Sequence, residues 1–146
     1  SFTEALYTSR TGDKLESREI MQKEGEEYFR ELEDAALKVL IAKEESSVIA
    51  VGGGTPMQIK NRELLKAHTV VYVSAPAGIL YERIMVNGRP AFFPKDLSSF
   101  RGFQKILSER LPVFESLANV TVDNNATVDD SAERIESALR AVESHV

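Results

Sequence analysis

Three arginines and a run of glycines are the residues of this sequence best suited to chemistry. Gly52, Gly53 and Gly54 follow the apolar stretch "SVIAV". Residues without a Cβ let backbone N–H groups approach a ligand closely, although a flexible strand-to-helix turn would use the same residues. Arg30 lies in "GEEYFRELED", and a guanidinium fork suits a bidentate grip on a carboxylate. Glu26 and Asp34 lie four residues to either side of it. Pairing with them on a solvated helix face would add only about 0.3–0.5 kcal/mol each. Arg110, in "SERLPVFESLA", is open to the same two readings. Arg89 sits in "NGRPAFF" beside two phenylalanines that look exposed. That composition suits a mobile lid and an irregular surface loop equally. His68 and His145 have no second ligand at metal spacing and read as structural.

The elements that must position these groups come from a chain of 146 residues, a length that suits one domain with a real core. Hydrophobic residues make up 42% and charged residues 28%, a balance typical of globular proteins. The net charge is −5 with both signs interspersed, which argues against a nucleic-acid backbone as partner, because that needs clustered Lys and Arg. A small anionic ligand needs only a few placed arginines. There is no cysteine, hence no disulfide framework and no thiolate metal site. No run of apolar residues is long enough to span a membrane, and no signal peptide is visible. A cytoplasmic location is the expectation.

Helical and strand-like segments alternate. Helices are predicted over 12–24, 25–43, 58–66, 76–86 and 97–118, the last disturbed at Pro112, and over a final segment from about Asp129. In the second helix Phe29, Leu32, Ala36, Leu37, Val39 and Leu40 form one buried stripe. The last helix has Asp129, Asp130 and Ser131 as capping candidates, and Ala132, Ile135, Leu139 and Val142 as its apolar stripe. Buried strands are predicted at 47–51, 69–74 and 119–123, with a Gly/Pro-rich loop at 87–96. Strands alternating with helices indicate βαβ units and a parallel sheet, with ligands at the carboxyl ends of the strands. The glycine run lies at such an end.

In order, "RTG", "GEEYFRELE", "VIAVGGGT", "NRELL", "VVYVSAP", "ERIMVNGRP", "SERLPVF" and "VTVD" closely resemble the shikimate kinase family, from about Arg10 to Asp123. The resemblance implies an α/β/α three-layer parallel sheet of the P-loop kinase type and a single domain over 1–146. It also implies a lid at about 87–102. The implied activity is transfer of the γ-phosphate of ATP, with Mg²⁺, to the 3-hydroxyl of shikimate, a step toward chorismate and aromatic amino acids. By the same resemblance Arg30 and Arg110 would hold the shikimate carboxylate. Gly53 and Gly54 would meet the ring hydroxyls. Glu33 would orient an arginine or a hydroxyl. Arg89 would reach the transferring phosphate from the lid, and Arg83 would pack on the adenine. The implied partner is shikimate, with no nucleic acid and no membrane, and a monomer unless another chain completes the sheet.

The sequence also departs from the family pattern. The sequence contains no G-x-x-x-x-G-K-[ST] phosphate loop, and the resemblance starts at the family's second strand. Where the family carries Asp-x-Asp, this sequence has Phe2 and Glu4. Glu4 would serve as the substrate-binding acid and base, while Phe2 cannot serve near Mg²⁺. The lid and the "VDNNATV" loop differ as well. The family's first strand would lie between the strands at 47–51 and 69–74. Its absence predicts two unpaired buried edges, each lost polar partner costing about 1–3 kcal/mol against a total stability of about 5–15 kcal/mol. Three explanations follow: an N-terminal part lies outside this sequence, the sheet closes up or is completed by a partner in a catalytically inactive relative, or a separate polypeptide supplies the loop.

Overall fold

The computed structural model describes residues 1–43, 46–86, 88–90 and 93–144. Three of the lid positions, 87, 91 and 92, and also His145, lie outside the described residues. The chain forms two compact units, Ser1–Leu64 and Leu65–Val146.

The first unit opens with helix α1 (Phe2–Thr11), where the family resemblance implied a strand. The local sequence explains the difference. Ser1 and Glu4 form a capping box, a signal that stabilises a helix N-terminus, and Gly12 ends the helix at φ 82°, where glycine carries no Cβ penalty. Residues 12–16 are irregular, so helix α2 (Ser17–Glu24) is shorter than predicted. Helix α3 (Glu26–Ile41) follows Gly25. Tyr7 from α1, Ile20 from α2, and Phe29 and Leu32 from α3 make one buried cluster. The Tyr7 ring meets Tyr28 edge-on at 6.2 Å. The Tyr7 hydroxyl donates to Glu24 (2.7 Å) and accepts from Lys23 (3.3 Å). The predicted stripe on α3 is buried at Phe29, Leu32, Ala36 and Leu37 but not at Val39, which lies 47% exposed.

The expectation of a buried strand at 47–51 is corrected. These residues carry no strand assignment, and Val48 is fully exposed at 101%. A strand is held by its ladder to neighbours, and β-branched residues only favour one where a paired, half-buried surface exists. Among the described residues nothing pairs with this segment, so its polar groups face water and the expected buried edge does not arise. The chain then makes a 3-10 turn (Thr55–Met57) and helix α4 (Ile59–Leu65).

In the second unit, strand β1 (Val71–Ser74) lies parallel to strand β2 (Val120–Asp123), with Val71 opposite Val120 and Ser74 opposite Asp123. The Asn119 side chain accepts from Val70 N at 2.7 Å and extends the ladder. Parallel strands need a crossover, supplied here by helices α5 (Ala77–Met85) and α6 (Ser99–Leu117). Pro76 caps α5. Helix α6 runs through Pro112 without a break in assignment. Helix α7 (Val128–Glu143) packs on β2. Its cap is Thr127, whose hydroxyl accepts from Asp130 N while Asp130 reaches back to Thr127. This corrects the predicted capping candidates: Asp130 is the third residue of the box, and Ser131 is buried inside the first turn. In its stripe Ile135 and Leu139 are half-buried, while Ala132 and Val142 are exposed. Phe93 also differs from expectation: it is 3% exposed and packs against Phe103 at 6.4 Å.

Candidate functional site

Arg30 and Gly54 are brought together within the first unit. A Cβ on Gly54 would sit 2.7 Å from Arg30 Cζ, far inside contact distance. Gly54 has φ −87°, a conformation open to any residue. Glycine leaves the space that the guanidinium occupies, and a side chain there would have to displace the end of Arg30. Glu33, one turn along α3, pairs with Arg30 Nη1 at 2.6 Å, with the two side chains only 13% and 15% exposed. Its other oxygen accepts from Thr55 Oγ1 at 3.2 Å. Glu26 pairs with Arg30 Nη2 at 3.3 Å. The solvated alternative therefore holds in part, since Glu26 is exposed, but Asp34 does not pair with Arg30 and is instead buried. Gly53 is exposed on the same turn.

The turn is braced from α4. Asn61 Nδ2 donates to Asp34 and to the Thr55 carbonyl (3.1 Å). Arg62 donates to the carbonyls of Pro56 and Met57, both at 2.9 Å. The sequence reading missed Asp34 and Asn61 as contributors. A polar residue four positions after Arg30 looks like a surface partner until the buried amide beside it is known.

Glu4 is placed on α1, where its carboxylate accepts from Ser17 N (2.9 Å) and Ser17 Oγ (2.8 Å). Phe2, on the same helix, has Lys43 Nζ over its ring at 5.5 Å.

The second unit holds the other arginines. Arg89 donates to Ser99 Oγ (3.3 Å), to the Leu97 carbonyl (2.9 Å) and to the Pro94 carbonyl. It thus ties the loop around Pro90 to the start of α6. Arg83 is exposed on α5, and Arg110 is half-buried on α6, one turn before Phe114. Phe114 packs on Tyr72 of β1 at 5.5 Å. A shallow hollow on α7, lined by Asp130, Glu133, Arg134 and Ser137, contains none of the candidate residues. Among the described residues no three His, Asp or Glu side chains gather as metal ligands. No described helix is long and apolar enough to cross a membrane.

The chain superposes with a TM-score of 0.79 on the shikimate kinase of Acinetobacter baumannii solved in complex with shikimate. That match has 25% identity and covers 98% of this chain and 77% of that one. The fold is therefore the α/β fold of P-loop kinases, with its parallel strands. The chain belongs to the shikimate kinase family, a family of phosphotransferases that use ATP: the family model described as shikimate kinase matches residues 3–140. It is 35% identical over 127 residues to shikimate kinase 2 of an Enterobacter species, covering 84% of this chain and 71% of that relative. It is also 33% identical over 116 residues to the bifunctional shikimate kinase/3-dehydroquinate synthase of Thermotoga maritima. That match covers 73% of this chain and 23% of the bifunctional protein.

Proposed function

We propose that this chain carries the acid-binding half of a shikimate kinase and that its acceptor substrate is shikimate, phosphorylated at the 3-hydroxyl. The observation that carries the reading is the Arg30 guanidinium lying on Gly54 with Glu33 behind it. A cation held beside a bare backbone turn suits a small hydroxylated acid. The carboxylate takes charge-assisted bonds from the guanidinium, and the hydroxyls meet the turn at Gly53, which is exposed, and Gly54, which lies buried beneath Arg30. Arg110 is, by the family resemblance, a further candidate cation for the carboxylate. Arg89, on a lid at about 87–102, stabilises charge on the transferring phosphoryl group, and Arg83 packs on the adenine. Chain 1–146 acts as one kinase-like domain, in the cytoplasm and as a monomer. Glu4, bonded to Ser17 on α1, is the candidate for the acid that binds the substrate hydroxyls and serves as base.

Mg²⁺ on the ATP phosphates belongs to this chemistry by family. The residues described here do not fit it: no acidic cluster forms, Phe2 occupies one family acid position, and no Gly-Lys-Ser/Thr phosphate loop occurs in the sequence. No residue of this chain is therefore assigned to the metal, and no step is routed through it.

The test is calorimetric titration of the full chain with shikimate, followed by an assay for shikimate 3-phosphate with ATP. Saturable binding that Arg30→Ala abolishes supports the substrate assignment. Binding without turnover marks an inactive shikimate-binding member of the family. Absence of shikimate binding by the folded chain overturns the reading.

A further inference from the structure

Asn61 is 0% exposed, and its amide bridges two elements. Nδ2 donates to Asp34 on α3 and to the carbonyl of Thr55, the residue after Gly54. Both partners are acceptors, so the orientation of the amide is decided by the chemistry. Asp34 is itself 4% exposed, with its second oxygen in an ion pair with Lys60. Asn61 Oδ1 is buried with no hydrogen-bond partner among the described residues. An unpaired buried oxygen costs stability, and an apolar side chain would avoid it. What an apolar side chain cannot do is pull the Thr55 carbonyl toward Asp34. That pull fixes how closely the glycine turn approaches α3, and so the gap into which Arg30 fits over Gly54. Arg62 seats the next two carbonyls, those of Pro56 and Met57, but does not reach α3 in this bonding pattern.

We infer that Asn61, anchored on buried Asp34, is the positioning residue that sets the Arg30–Gly54 contact and thereby the affinity of the site for its acid substrate. The inference rests on the shikimate-binding reading above and names a residue that touches no substrate. Asn61 acts through Arg30, so its effect must depend on the arginine fork. A merely structural residue would lower stability equally in any background and leave the affinity of the folded protein alone.

Shikimate affinity is measured by calorimetry on the full chain, at a temperature where circular dichroism shows each variant folded. Asn61→Ala is expected to weaken binding at least tenfold. In an Arg30→Lys background, which keeps the charge and removes the fork, the same change is expected to add less than twofold, the non-additivity of coupled residues. Amide exchange reads the same geometry without ligand. The Thr55 and Met57 amides, which donate to Gly52 O and Gly54 O, are expected to exchange at least tenfold faster in Asn61→Ala while the amides of α3 do not change. Should Asn61→Ala fail to fold, Asn61→Ser undergoes both measurements. Unchanged affinity with unchanged exchange, or an equal loss in both backgrounds, overturns the inference. If the parent chain itself binds no shikimate, the functional reading fails, and the exchange result alone decides the role of Asn61.

Discussion

Arg30 and Arg89 present the same guanidinium group to different work. Arg30 is held by two carboxylates, Glu26 and Glu33, and lies against a residue with no side chain. Arg89 donates to two backbone carbonyls and the Ser99 hydroxyl. A charge-assisted pair at 15% exposure is strong and geometrically tight, whereas each bond to a carbonyl is weaker individually. The carboxylates hold the Arg30 fork in one place over the glycine turn, and the bonds of Arg89 tie the loop around Pro90 to the start of α6.

The largest effect is expected from Gly54→Ala. The new methyl group meets the Arg30 guanidinium directly, and overpacking of this kind costs about 1–3 kcal/mol. Loss of shikimate affinity by about a hundredfold is expected, equivalent to about 2.7 kcal/mol, read by calorimetry. An alanine protein that binds as the parent does would show that Arg30 is free to move. Next in size, Glu33→Gln removes the charge that fixes Arg30 while keeping a partner for Thr55. A roughly tenfold loss of affinity, about 1.4 kcal/mol, is expected with little change in melting temperature. Arg89→Ala should leave shikimate affinity unchanged and destabilise the loop by about 1 kcal/mol, seen as faster exchange at the Leu97 amide.

Much of the layout was legible in the chain. The stripe Phe29, Leu32, Ala36, Leu37 marked α3 because a helical period is a local property, and Val71–Ser74 and Val120–Asp123 form a parallel pair where apolar β-branched runs lay. Other parts were not legible, for physical reasons. The run at 47–51 has the composition of a strand, but a strand exists only with a partner, and none is paired to it among the described residues. The N-terminal segment carried a family expectation of a strand, yet Ser1 and Glu4 spell a helix cap that took precedence. Phe93 looked like a loop aromatic, and a neighbour distant in sequence, Phe103, buries it.

The residue types and their order, by themselves, pointed to the family and to the helices from α2 to α7, because periodicity, caps and motif spacing are written along the chain. Tertiary structure alone decided which partner each charge takes. Arg30 pairs with Glu33, three residues on, while Asp34, four residues on, turns inward to Asn61. Both carboxylates lie within reach of the arginine on a bare helix. Only the packing of α4 and the glycine turn onto α3 buries one of them and leaves the other to hold the guanidinium.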